Sequence, residues 1–405
     1  MRVFQQGALT RGRVLSQDDT HMNCESRRTL TLIACDKFKG SLSAIEACAA
    51  VQRGLGDGWD VDLCPIADGG EGFVDTLITA MRGNKIQAPC HDALGREISA
   101  EYGIVRRDGK NIAVIEMAAA SGLWRIDASE RDIMRASTFG TGELMRHAIE
   151  NHSVDQIIVG IGGSATNDGG AGMAAALGVR FLDAVGNALE VTPAGLRQLA
   201  SVDFSQCITL PPVLAACDVD NPLCGERGAS AIYGPQKGAT PAQVSELDAF
   251  LQNLAEQSGS AQHANFPGAG AAGGLGFGLM AFAGARLLSG FTMVADICAL
   301  HQRVAAVDLV ITGEGSLDAQ SLSGKGPVGI AKIAREHGVP CVAVAGVCTE
   351  ELRASDIFAD AIDLVSLGHP LDFTLSHAAS LLEENVATSA QRWRILVEGA
   401  IETSP

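Results

Sequence analysis

The stretch that most constrains the fold is Ile157-Ile-Val-Gly-Ile-Gly-Gly-Ser-Ala-Thr-Asn-Asp168-Gly-Gly-Ala-Gly172, an apolar run that empties into glycines, hydroxyls, an amide and a carboxylate. It reads as a buried strand ending in an anion-binding loop. Gly160, Gly162 and Gly163 let the backbone turn sharply and approach a ligand, and the N–H groups that follow can face a phosphate at a helix N-terminus. Ser164, Thr166 and Asn167 add donors. Asp168 would repel a bound phosphate unless a divalent cation or a proton lay between them, so the pattern points to phosphate plus metal.

Three more apolar runs end in the same way. Val61-Asp-Leu-Cys-Pro-Ile66 leads into Ala67-Asp68-Gly-Gly-Glu71-Gly72, Val213-Leu-Ala-Ala216 into Cys217-Asp218-Val-Asp220-Asn221-Pro222, and Asp308-Leu-Val-Ile311 into Thr312-Gly313-Glu314-Gly315. Ligands of open α/β sheets bind outside the carboxyl ends of the strands, so the four loops are expected to converge on one crevice.

The elements follow the same βα rhythm. Thr29 to Ala34 is a first strand, and Ser43 with Glu46 three residues on is a capping-box start for a helix to about Leu55. A second strand ends at Ile66, and a helix runs to about Met81. From Lys85 to Met117 short alternating strands turn at Leu94-Gly95 and Asp108-Gly109 and leave the first sheet. Helices are expected at Gly142 to Glu150, Ala171 to Leu177, Pro241 to Gln257 and Gly273 to Leu287, with a strand at Val179 to Leu182. The rhythm returns with helix Leu300 to Ala306, strand Asp308 to Thr312, helix Pro327 to Glu336, strands Val339 to Ala345 and Ala361 to Val365, and a long last helix.

The fold class this implies is α/β with two α/β domains. Residues 29–84 and 292–395 form a discontinuous Rossmann- or flavodoxin-like parallel sheet domain, and residues 85–291 form a second α/β domain inserted in the middle. Residues 1–28 carry five arginines without an apolar core of signal-peptide length, and are expected to be a disordered extension or a misassigned start. With 47% hydrophobic but only 4% aromatic residues, the interiors are built from Ala, Val, Leu and Ile, and the 47 glycines suggest many ligand-facing turns. A formal net charge of −17 disfavours nucleic acid and anionic membrane as partners. No apolar run reaches about 18 residues, and the odd count of 11 cysteines without a CxxC pair suits a reducing compartment, so a cytoplasmic enzyme is expected. A homo-oligomer is left open.

Asp68, Glu71, Asp168, Asp218, Asp220, Glu314 and Asp318 make a rich set of loop carboxylates. A hard cation such as Mg²⁺ needs only one or two of them besides substrate phosphates. Lys39, Lys237 and Lys325 lie in loops with glycine, a setting suited to a phosphate or a substrate carboxylate. None of the 9 histidines falls inside the four motifs, which argues against a histidine base or a zinc site and leaves a carboxylate as base. No GxxxxGK[ST] loop occurs, so a P-loop kinase is not indicated.

With these residues laid out, the chain resembles the bacterial glycerate kinase family of the glycerate 2-kinase type, which lacks a P-loop. The resemblance spans most of residues 30 to 346. Its motifs are Ala67 to Gly72, Ile115-Glu-Met-Ala-Ala-Ala-Ser-Gly122, Gly140-Thr-Gly-Glu-Leu144, Gly160 to Gly172, Ala216 to Leu223, Gly234-Pro-Gln-Lys-Gly-Ala-Thr240, Pro267-Gly-Ala-Gly-Ala-Ala-Gly-Gly274 and Ile311 to Gly315. Three places depart from the family pattern. Cys35 and Lys37 stand where the family's first loop has proline and serine, Glu190 to Gly195 replaces a glycine-rich stretch, and Ser316 takes the place of an arginine.

The resemblance implies ATP-dependent phosphorylation of D-glycerate, leaning to the 2-hydroxyl, with the active site in the cleft between the two domains. In the in-line transfer this implies, Asp218 or Asp318 takes the hydroxyl proton and Lys325 steadies the transferred group. Asp68, Glu71 or Glu314 holds Mg²⁺. Gly162, Gly163, Ser164, Thr166, Asn167 and Asp168, with Lys237 and Gly313, cradle the phosphates of ATP, while Asp36, Lys39 and Asn221 bind substrate. Two rival readings are a nicotinamide-dependent oxidoreductase, with Gly160-Ile-Gly162-Gly as its glycine turn and Asp183 as its ribose acid, and a noncatalytic sugar-acid or nucleotide sensor.

Overall fold

The structure is a computed structural model and describes residues 28–67, 70, 72–318, 321 and 326–402. Apart from Arg28, the expectation for residues 1–28 lies outside the described residues. Its strands are β1 (Thr29–Cys35), β2 (Trp59–Leu63), β3 (Asn84–His91), β4 (Glu97–Arg107), β5 (Lys110–Glu116), β6 (Gln156–Gly160), β7 (Arg180–Leu182), β8 (Ser201–Asp203), β9 (Val213–Ala216), β10 (Arg286–Leu288), β11 (Leu309–Leu317), β12 (Cys341–Cys348) and β13 (Asp360–Asp363). A five-stranded sheet has the order β13-β12-β11-β1-β2 and is parallel throughout. A six-stranded sheet has the order β10-β9-β6-β5-β4-β3, in which β5, β6, β9 and β10 are parallel and β3 and β4 antiparallel. β7 and β8 form a small pair apart from both.

The continuous apolar runs are explained by burial on both faces. Along β1, Leu32 and Ala34 enter one core while Ile33 and Cys35 enter another, packed under the Ala44–Leu55 and Ala378–Glu402 helices. In β5, Ile112 and Val114 face the first of these cores, whereas Ala113 and Ile115 face a third under the Phe139–His152 helix. The first core is shared. It takes side chains from both sheets and from the Phe73–Met81, Gly290–Ile297, Leu300–Val304 and Gly326–Glu336 helices between them. Separating the sheets would therefore expose Val105, Ile112, Val114 and Ile158, and each large apolar side chain so exposed costs about 1.5–3 kcal/mol.

Two expected elements differ. The helix expected to reach Leu287 stops at Gly284, which is left-handed, and Arg286–Leu288 becomes the edge strand beside β9. The Thr312-Gly-Glu-Gly315 segment, expected as a loop, continues β11 to Leu317 and pairs with β12. Gly315 is required there because a Cβ would sit 2.9 Å from the Lys39 nitrogen, where the loop after β1 crosses β11.

The glycine-rich Gly268 to Gly278 segment also corrects the expectation of ligand-facing turns. A Cβ on Gly273 would collide with the Thr166 carbonyl, one on Gly274 would lie 2.9 Å from Gly169 Cα, and one on Gly278 would lie 2.7 Å from Gly170 Cα. Backbone packs directly on backbone, and only glycine leaves room.

The Ala44–Leu55 helix begins with the capping box read from sequence. Glu46 N donates to Ser43 Oγ at 3.2 Å, and Ser43 N donates to Glu46 Oε2 at 2.8 Å. Ser43→Ala is expected to cost about 1 kcal/mol, read as a lower urea midpoint at unchanged slope.

Candidate active site

In the five-stranded sheet, β1 continues toward β2 on one side, while β11 continues to β12 and β13 on the other. The strand order reverses between β1 and β11, and such a reversal opens a crevice at the carboxyl ends. Asp36 stands at the end of β1, 9% exposed, and its N–H donates to the Gly313 carbonyl at 2.8 Å across the gap. Lys37 N donates to Asp36 Oδ1 at 2.6 Å, which fixes the carboxylate against its own turn. The turn then folds back, with Phe38 buried and paired to Leu42, leaving Lys39 and Gly40 exposed at its tip.

A cleft of about 1170 Å³ opens beside this turn. Its far wall comes from the six-stranded sheet: Gln87 of β3, Glu101 of β4, Glu116 at the end of β5, and Gly163 beyond β6. Trp124 and Arg125 close one side. Arg125 stacks its guanidinium 4.5 Å from the Trp124 ring centroid, and its Nε donates to the Ala119 carbonyl at 2.6 Å. Lys85 also lines the cleft, but its ammonium is engaged by Asp75 at 2.7 Å and Glu101 at 3.0 Å; these hydrogen bonds, that of Asp75 foremost, raise its pKa. The lining carries four basic groups, Lys37, Lys39, Lys85 and Arg125, and four carboxylates, Asp36, Asp75, Glu101 and Glu116, in a chain of net charge −17.

Glu116 and Arg125 were not among the residues singled out from sequence. Glu116 had a readable signal, since it ends the apolar run Ile112 to Ile115 as Asp218 ends that of β9. Its Oε1 accepts from Val74 N at 2.8 Å, in the first turn of the Phe73–Met81 helix. Arg125 had none, because nothing local tells a cleft arginine from a wet one.

The loop after β6 divides in two. Gly163, with φ of 72°, reaches the cleft, and Gly162 is half-buried beside it. Gly163 O accepts from Leu123 N and Ala165 N donates to Ser121 O, both at 2.9 Å, so this part is stitched to the turn after β5. The remainder corrects the expectation of a phosphate cradle running to Asp168. Thr166, Asn167 and Asp168 have no exposure. Asp168 Oδ2 accepts from Thr138 N at 2.7 Å, Thr138 Oγ1 at 2.8 Å and Gly172 N at 3.1 Å, and Oδ1 from Gly170 N at 3.2 Å. Burial raises its pKa against the pull of these bonds. Asn167 Nδ2 donates to Ser230 Oγ at 2.9 Å. Lys237, expected at a phosphate, is buried instead beneath the loop, where Nζ donates to Ser164 Oγ and to the Thr166 carbonyl, each at 2.7 Å.

Beyond β9 the polar side chains bond within the protein. Asp218 accepts from Gly290 N at 3.2 and 3.3 Å, capping the Gly290–Ile297 helix. Asn221 uses both ends on its own turn, with Nδ2 donating to Arg227 O at 2.8 Å and Oδ1 accepting from Tyr233 OH at 2.6 Å. Asp220 is exposed and paired with Arg227. At the end of β11, Glu314 Oε1 accepts from Ser321 Oγ at 2.7 Å, and Asp318 Oδ2 accepts from Ser316 Oγ at 3.0 Å. Asp68, Glu71 and Lys325 lie outside the described residues.

Convergence is thus partial. Among the described residues, the cleft lining includes the loops after β1, β2, β5 and β6, but neither 217–222 nor 312–315. No group of three or more His, Cys, Asp or Glu among the described residues is placed to hold a metal alone. Nor is any helix among them long and apolar enough to cross a membrane. The oxidoreductase reading loses its premise, because β7, which Asp183 follows, pairs with β8 and not beside β6, and Asp183 accepts from Val185 N and Asn187 N in its own turn.

Comparison with known proteins gives a consistent result. The model of the "Glycerate kinase family" matches residues 31–394. The chain is 43% identical over 366 residues to a glycerate kinase of Halalkalibacterium halodurans, covering 87% of this chain and 95% of that one. It is 44% identical over 335 residues to the glycerate 2-kinase of Escherichia coli, covering 79% and 86% respectively. A crystal structure of a glycerate kinase 2 from Salmonella typhimurium LT2 superposes with a TM-score of 0.80 at 39% identity, covering 91% of this chain and 98% of that one.

Proposed function

Because the chain belongs to the glycerate kinase family and is an enzyme that phosphorylates glycerate, we propose that its phosphoryl donor is ATP with Mg²⁺ and its product 2-phosphoglycerate. The observation that carries this reading is the cleft beside the turn after β1, with carboxylates at the ends of β1 and β5 and cationic groups from both sides. The 2-position is favoured by the likeness to the E. coli glycerate 2-kinase. A cytoplasmic location belongs to the same reading.

In the proposed reaction the 2-hydroxyl oxygen of D-glycerate attacks the γ-phosphorus in line, the bond to the β,γ-bridging oxygen breaks, and ADP leaves. Asp318, which follows β11, takes the hydroxyl proton. Asp218 is dropped from this role because its carboxylate caps a helix. Asp36 orients the glycerate hydroxyl, and Lys39, with Lys37 and Arg125, binds the glycerate carboxylate. Gly162, Gly163 and Ser164 donate to the phosphates, and Lys325 steadies the transferred group. Asp68, Glu71, Glu116 and Glu314 are the carboxylates available to Mg²⁺, which when bound neutralises phosphate charge.

A ³¹P NMR time course with Mg²⁺-ATP and D-glycerate tests this reading. A glycerate-dependent phosphomonoester with the 2-phosphate shift is expected. The 3-phosphate would overturn the regiochemistry, and ATP left intact would overturn the choice of donor.

A further inference from the structure

Lys237 is a charged group that the proposed chemistry leaves unused, although it lies directly beneath the loop that reaches the cleft. It sits on the 3₁₀ turn Pro235–Lys237, between the Ala229–Tyr233 and Pro241–Gln257 helices, with its side chain 2% exposed. Its Nζ donates to Ser164 Oγ and Thr166 O, both at 2.7 Å. No carboxylate among the described residues forms an ion pair with it. The charged group that acts on it is Asp168, within the same buried loop, while Arg131 Nη1 donates to the carbonyl of the neighbouring Gln236 at 3.3 Å. An ammonium held inside a protein on a hydroxyl and a carbonyl alone is costly, which calls for a return elsewhere.

The hydrogen-bond inventory points to that return. An ammonium has donors only, so the Lys237 bond occupies a lone pair of Ser164 and leaves the Ser164 proton available to donate. The bond to the Thr166 carbonyl pins the backbone on the far side of Ser164, and the pairing of Gly122 with Ser164 pins the near side. Thr166 Oγ1 and Asn167 Oδ1, buried alongside, have no partner of their own among the described residues. The lysine ammonium is therefore the side chain that ties Ser164 to the Thr166 carbonyl within the loop interior.

We propose that Lys237 is a positioning residue: without touching substrate, its ammonium fixes and polarises the Ser164 hydroxyl so that Gly163 and Ser164 present their donors to the anion in the cleft. This deepens the reading of that loop as the phosphate cradle and rests on it. Burial brings the Lys237 pKa down to about 7, with Asp168 pulling the other way. The active, protonated form is then present below pH about 7 and lost above it. Stability runs the opposite way. The unfolded chain holds this proton up to about 10.5, so ionised Lys237 burdens the fold below pH about 7, and the burden lifts between these values as pH rises.

The test compares wild type, Lys237→Met, Ser164→Ala and the double variant by kcat and KM from pH 5.5 to 9.5, alongside thermal unfolding. Each single variant is expected to lose about a hundredfold in kcat/KM, and the double variant little more than either alone. The alkaline limb of the wild-type profile should vanish in Lys237→Met, while its unfolding temperature at pH 6 equals or exceeds that of wild type. Fully additive losses, or a Lys237→Met enzyme with near-normal kcat/KM, would overturn the proposal. If Lys237→Met does not fold, Ser164→Ala and the wild-type alkaline limb decide. If wild type does not phosphorylate glycerate, the functional reading fails by itself, and calorimetric titration of wild type and Ser164→Ala with inorganic tripolyphosphate decides this one: equal affinities overturn it, at least tenfold weaker binding by the variant upholds it.

Discussion

Replacing Asp318 by asparagine is expected to lower kcat about a thousandfold while leaving KM for glycerate within about threefold of wild type. The substitution keeps the shape and removes the ability to accept a proton. Asp318 directly follows β11, at the carboxyl end of the strand that forms the switch point with β1, and Ser316 Oγ holds one carboxylate oxygen at 3.0 Å. A group that acts only as the bond to hydrogen breaks is needed in the transition state and little in the ground state, so its loss falls on kcat. Asp36→Asn should show the opposite split, a KM for glycerate raised about tenfold with a smaller change in kcat, because that carboxylate is proposed to orient the substrate hydroxyl. Steady-state kinetics on the two variants settles the assignment. A Asp318→Asn enzyme within tenfold of wild-type kcat would remove Asp318 as the base.

Asp168→Ala is expected to cost about 4 kcal/mol of stability, from the four donors within 3.2 Å left unsatisfied in a dry interior and a buried lysine deprived of its nearby negative charge. Thr138 contributes two of those donors, and Gly170 and Gly172 the others. Urea unfolding at pH 7 measures it. Near-normal stability with activity abolished would mean that Asp168 meets a ligand, as its place in the sequence motif first suggested. The structure favours a brace, since its carboxylate has no exposed surface.

The contrast between Gly163 and Asp168 shows where reading from sequence reached and where it stopped. Both belong to one motif, and local chemistry marks both as polar loop residues fit for a phosphate. Their separation comes from non-local packing: the Gly268 to Gly278 segment lies directly on residues 166–170, and Lys237 arrives from more than sixty positions away to occupy the loop interior. The same limit applies to Asn221, whose partners Arg227 and Tyr233 come from the turn that follows. Glu116 was legible in principle, as a carboxylate closing an apolar run. Arg125 was not, because its place at the cleft depends on how the turn after β5 is stitched to the loop after β6.

The chain's own order determined the parallel strands, the capped helix at Ser43 and the motifs that carry the family, because two-faced burial, capping and glycine turns are local consequences of residue type and spacing. Tertiary structure alone decided the continuation of β11 through Gly313 and Gly315, the shared core between the sheets, and which loop residues face the cleft. Those outcomes depend on segments distant in sequence competing for the same space and the same hydrogen bonds, and a buried donor or carboxylate goes to whichever partner the packed fold brings to it.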